Sequence, residues 1–147
     1  SMRFGQILIE RSLRGLTLTI HGDGQDYLDF TYVEDFVDGM VKIMENENAK
    51  NEILNLTYGA SRSILEMVEI LKKEFGQVDL QYMPKDKLMP DRGTLSVEKA
   101  KRLIGYEPQF PLEIGFVKYI KWYKSLMESY AHLFEEQKPE LKLVGRS

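Results

Sequence analysis

Asp29-Phe30-Thr31-Tyr32-Val33-Glu34, followed by Asp35 and then by Phe36, Val37, Met40, Val41 and Met44 at helical spacing, is the stretch on which the fold turns. Apolar residues three and four apart share one face of a helix, so residues 34–46 are expected to be helical and that face to pack in a core. Upstream, Leu18-Thr19-Ile20-His21 alternates apolar and polar side chains and runs into Gly22-Asp23-Gly24. The whole reads as strand, glycine turn, second strand at 30–33, then helix. Glu34 and Asp35 fall in the helix's first turn, where negative charge complements the dipole and the free N–H groups. That placement explains them better than paired acid–base carboxylates.

The remaining chain alternates in the same way. Ile7, Leu8 and Leu13 suggest a first helix ending at Gly15, a residue suited to a left-handed cap. Residues 45–51 are polar and read as a loop, and 53–57 read as a strand. Ser63 with Glu66 forms a capping box for a helix whose Ile64, Met67, Val68 and Leu71 share a face. Val78, Leu80 and Tyr82 alternate as a strand, and Ser96 is placed to cap a short helix ending at Ile104. Pro108 and Pro111 frame the entry to a last helix, on which Phe116, Tyr119, Trp122 and Tyr123 form an aromatic packing stripe. Two domain-level segments result: residues 1–130, and a polar tail over 131–147.

Composition narrows the function. The chain has 147 residues, 43% hydrophobic, enough for one modest core, and a mean hydropathy of −0.34 with no long apolar run argues against a membrane span. A net charge of −3 and a pI near 5.5 argue against a dedicated nucleic-acid binder. Cysteine is absent, which excludes disulfides and thiolate metal sites. Two histidines without paired spacing make a metal site improbable. With no signal-like segment, the cytoplasm is the expected compartment.

Together with Asn55-Leu56-Thr57, Ser63-Ile64-Leu65-Glu66 and the run from Ser96-Val97-Glu98-Lys99-Ala100-Lys101-Arg102-Leu103 to Ile104-Gly105-Tyr106-Glu107-Pro108, the opening stretch resembles the carboxy-terminal half of extended short-chain dehydrogenase/reductases. This group comprises NAD-dependent nucleotide-sugar epimerases, dehydratases and decarboxylases, and the likeness covers roughly residues 3–124. It implies a mixed α/β substrate-binding portion lacking the amino-terminal Rossmann core, and NAD or NADP as cofactor of the full-length enzyme. Two parts of that chemistry are missing from the sequence. None of the 11 glycines forms the cluster that lets backbone approach a dinucleotide pyrophosphate, and none of the 8 tyrosines precedes a lysine by four residues. The chain is therefore expected to be a fragment, inactive alone and without bound cofactor.

By the same resemblance, Arg92 and Arg3 are candidate anchors for the pyrophosphate of a nucleoside diphosphate sugar, Arg92 the stronger, because that group asks for guanidinium forks. His21 stands where relatives carry an aromatic ring beside the base. Leu28 is a departure: the family places an arginine there, and leucine can neither pair nor hydrogen-bond. Either Arg92 with lysines such as Lys85 or Lys87 compensates, which is the favoured expectation, or the substrate is not an ordinary nucleoside diphosphate sugar. The resemblance also implies that the helix at 34–46 and the strand at 53–57 pack on the missing Rossmann domain. Their apolar faces would then be uncovered, so a homo-oligomer is expected, formed by exchange of the 53–57 strand or the last helix. A different reading makes the chain a free-standing, non-catalytic binding or protein-interaction module of the same fold, consistent with Leu28 and the missing motifs.

Overall fold

The computed structural model describes residues 4–85, 88 and 92–130. Helices α1 (Phe4–Leu13), α3 (Ile64–Phe75) and α5 (Leu112–Ser129) surround the main core, and α2 (Val33–Glu45) and α4 (Glu98–Ile104) build a second packed group. Among the described residues there are two small sheets. Strand β1 (Leu18–His21) pairs in parallel with β4 (Leu80–Met83), Leu18 opposite Leu80 and His21 opposite Met83. Strand β2 (Tyr27–Leu28) pairs antiparallel with β3 (Arg62–Ser63), so that Leu28 faces Arg62.

The main core joins Leu8 and Ile9 of α1, Leu18 of β1, Met67, Ile70 and Leu71 of α3, and Leu112, Phe116, Ile120 and Tyr123 of α5. At about 1.5–3 kcal/mol for each large side chain removed from water, this cluster is what holds the three helices together. The α3 start is built as its sequence predicts. Ser63 Oγ accepts from the Glu66 N–H at 3.2 Å and Glu66 Oε2 accepts from the Ser63 N–H at 2.7 Å, so two helix-end donors are satisfied reciprocally. The expected face of Ile64, Met67, Val68 and Leu71 is buried, and Gly15 takes the left-handed φ of 62°.

Several expectations need correction. The strand expected at 30–33 lies instead at Tyr27–Leu28, and residues 29–32 are irregular. The pairing with β3 ends at Leu28 opposite Arg62, and beyond it the Asp29 carboxylate takes the N–H groups of Gly59 and Leu95. Residues 53–57 form no strand, because no neighbouring strand offers them a ladder, although their burial alternates: Ile53 is 87% exposed while Leu54 and Leu56 turn inward. In α1 the buried residues are Leu8 and Ile9, and Ile7 is exposed. The short helix α4 begins after Val97, so Ser96 lies one position too early to be its cap and only accepts from the Glu98 N–H at 3.4 Å.

The apolar stripe of α2 is not core within this chain. Phe36, Val37, Met40, Val41 and Met44 are all exposed, and the buried residues of α2 are Asp35 and Gly39. Gly39 is where α2 meets the second group: a Cβ there would stand 2.8 Å from Leu56 and 2.9 Å from Tyr106. Tyr106 is fully buried with Ala100 and Ile104, and its hydroxyl donates to the Thr57 carbonyl at 3.1 Å. The expected tail at 131–147 lies outside the described residues.

Candidate functional site

A cleft of about 1170 Å³ opens where the carboxy-terminal end of β1 meets the segment from β2 into α2 and the first turns of α5. Its floor is apolar, with Ile20, Ile64, Met67, Leu112 and Phe116, and the rings of Phe30, Tyr32, Phe110 and Tyr119 stand along its wall. Gly115 on α5 gives the wall its shape, since a Cβ there would lie 2.9 Å from that of Tyr32. Tyr32 in turn packs on Phe110 with ring centroids 5.1 Å apart. Lys118 sits over both rings, 4.2 Å from the Phe110 centroid and 5.0 Å from that of Tyr32, and pairs with Glu34 at 2.9 Å. Burial, and then the neighbouring Glu34 carboxylate, hold the Tyr32 phenol above its ordinary pKa despite Lys118.

His21 and Arg92 both line this cleft. His21 is exposed at the end of β1. Arg92 is delivered by a segment tied down just beyond it. The Leu95 N–H donates to Asp29 Oδ2 at 3.2 Å, and Thr94 Oγ1 donates to Ser61 Oγ at 2.6 Å and accepts from the Ser61 N–H at 3.1 Å. Arg92 makes no hydrogen bond or ion pair among the described residues, so its guanidinium donors are unspent. Arg3 and Lys87 lie outside the described residues. Lys85, expected as a compensating anchor, instead meets Asp26 on the cleft rim at 2.6 Å, and its charge is balanced there. Leu28 lines the cleft as an apolar residue.

Four polar residues that hold the site are ones the sequence reading missed or assigned differently. Asp29 ties two loops beside the cleft. Asp35, read as a dipole partner, is 3% exposed and accepts from the N–H groups of Gln109 and Phe110 at 2.7 and 3.0 Å, which fixes Phe110 in the wall. Arg62 donates through Nε to Glu113 at 2.7 Å. Burial raises the Glu113 pKa, but the bond from Arg62, its own backbone N–H and the Arg62 charge outweigh that and leave it below the ordinary value. Chemically, the cleft offers apolar and aromatic surface, one unspent guanidinium and an imidazole, which suits binding a ligand with a flat ring and an anionic group.

Among the described residues, the glycine turn at Gly22 and Gly24 follows β1 but leads into β2 and not into a helix N-terminus. No described cluster of three or more His, Cys, Asp or Glu side chains could hold a metal ion, and no described helix is long and apolar enough to cross a membrane.

Residues 2–57 match the model of the NAD dependent epimerase/dehydratase family. The chain is 34% identical over 125 residues to UDP-glucuronic acid decarboxylase 1 of Danio rerio, an alignment that covers 84% of this chain and 29% of the relative. In structure it is similar to an epimerase of Methanothermobacter thermautotrophicus, with a TM-score of 0.80, 27% identity, and coverage of 87% of this chain and 39% of the other. It is also similar to UDP-glucuronic acid 4-epimerase of Bacillus cereus in complex with UDP-glucuronic acid and NAD, with a TM-score of 0.77, 28% identity, and coverage of 83% and 40%. The chain thus spans well under half the length of these proteins, and over that span it is similar to members of the NAD dependent epimerase/dehydratase family, whose model its residues 2–57 match.

Proposed function

We propose that this chain is the nucleotide-sugar-binding portion of an NAD- or NADP-dependent epimerase, dehydratase or decarboxylase, inactive alone. It holds the sugar nucleotide while a dinucleotide-binding portion supplies the redox chemistry. The observation that carries this reading is the meeting of His21 and Arg92, distant in sequence, in one aromatic-walled cleft. Its volume of about 1170 Å³ is ample for a nucleotide sugar. In this reading the His21 ring lies against the base and the Arg92 fork takes the pyrophosphate, with Arg3 as a second cation. The match to proteins named for UDP-glucuronic acid favours a uridine nucleotide.

The exposed stripe of α2 and the unpaired segment 53–57 then serve as the seat of the dinucleotide-binding portion. Without it, the same surface joins copies of this chain into a homo-oligomer. The test is calorimetric titration with UDP-glucose, dTDP-glucose and GDP-mannose, with Arg92→Ala alongside. Heat for one base, with affinity roughly tenfold or more weaker in the variant, is the expected result. Silence for all three, both alone and with a dinucleotide-binding portion supplied, sinks the reading.

A further inference from the structure

Arg62 stands beside the cleft without lining it. It is the register partner of Leu28 across the β2–β3 pair, and Leu28 and Ile64 on either side of it both line the cleft. Directly opposed residues in an antiparallel pair point to the same face, with Cβ atoms about 4.5–5.5 Å apart. An arginine stem is longer than that, so the guanidinium can pass over the leucine. Its present partner is Glu113, in the first turn of α5, flanked by Leu112 and Gly115 of the cleft wall.

A guanidinium has five N–H donors. Nε donates to Glu113 and Nη1 to the Ser61 carbonyl at 3.2 Å, which leaves three. Electrostatics decides what those donors can do. With Glu113 at 2.7 Å and Glu66 at 3.9 Å, two carboxylates face one cation, so an incoming anion meets net negative charge while both stay in place. The Glu113 side chain is 51% exposed, so releasing it to water is cheap. The Arg62 side chain is only 26% exposed and stays near the cleft.

We propose that Arg62 is an exchangeable anion-binding arginine of this cleft: Glu113 occupies it in the free protein, and the ligand's phosphate displaces that carboxylate and takes the guanidinium over Leu28. The proposal rests on the nucleotide-sugar reading above. It adds a specificity device, because only a ligand whose anionic group outcompetes Glu113 gains this contact. An uncharged nucleoside gains nothing from it.

Opposite signs in two variants separate this from a purely structural ion pair. Affinities for UDP and for uridine are measured by calorimetry on the 147-residue chain, on Glu113→Gln and on Arg62→Ala, with thermal melting of each. Glu113→Gln frees the cation without removing it, so UDP binds about threefold or more tighter, while Arg62→Ala binds UDP about tenfold weaker. Uridine affinity is the same in all three. Should Arg62→Ala fail to fold, Glu113→Gln decides alone: UDP affinity unchanged or weakened overturns the exchange. If UDP binds the unmodified chain but neither variant alters its affinity, the exchange fails and the nucleotide-sugar reading stands. If the unmodified chain binds neither UDP nor uridine, both fail.

Discussion

Asp35 carries more of this site than its place in a helix's first turn suggests. Both of its carboxylate oxygens are spent on backbone N–H groups of the loop before α5, those of Gln109 and Phe110, and the side chain is almost fully buried. A buried carboxylate so placed does two jobs at once: it satisfies two backbone donors of the loop before α5, and it fixes the angle at which Phe110 meets Tyr32 in the cleft wall. Asp35→Ala leaves both donors unpaired, and the expected cost is about 3 kcal/mol, read as a shift of the urea unfolding midpoint. Asp35→Asn keeps one acceptor oxygen and costs about half as much. Equal stability of all three proteins would show that the two N–H groups find other partners and that the latch is incidental.

At the scale of elements, α2 shows what periodicity reveals and what it leaves open. Spacing of three and four correctly places a helix at Val33–Glu45 with one apolar face. It does not say what the face meets, and here Val37 and Met44 are 52% and 74% exposed. The 53–57 segment has the same ambiguity in period two: its alternation is real, but a strand exists only where another strand supplies the ladder. The cap at Ser63 and Glu66 was legible because both partners lie within one helical turn. His21 and Arg92, singled out one by one through family likeness, line one cleft, whereas nothing local foretold that Asp29 would bind the Leu95 N–H or that Arg62 would bind Glu113. Those contacts depend on how distant segments fold back, which no local pattern encodes. The uncovered α2 face yields a clear expectation. Val37→Lys with Met44→Lys changes the stability of this chain by less than about 0.5 kcal/mol, since neither side chain is buried, yet lowers its self-association in light scattering. A loss of stability as large as that of a core substitution would mean that the stripe is packed within the chain.

For the molecule as a whole, the two packed groups are each closed by a buried tyrosine, and this sets an alkaline limit. Tyr123 closes the main core, its hydroxyl donating to Glu10 of α1, and Tyr106 closes the group of α2 and α4. Burial first, and then nearby carboxylates, Asp35 foremost for Tyr106 and the Glu10 bond for Tyr123, push both phenols from 10.0 up to about 12. A raised phenol pKa means that the folded state favours the neutral form. The associated stability is fully present below pH 10 and drains away as pH climbs through about 12. Tyr106→Phe isolates one of the two. At neutral pH it loses the bond to the Thr57 carbonyl and is less stable by about 1 kcal/mol. Phenylalanine has no proton to lose, so the deficit shrinks as pH rises above 10, where the wild-type phenol ionises in the unfolded state, and reverses before the folded phenol ionises at about 12. Urea midpoints of the two proteins measured across that range decide it: converging and crossing curves establish Tyr106 as a titrating closure of the second group, whereas parallel curves would assign the alkaline limit to Tyr123 and the main core.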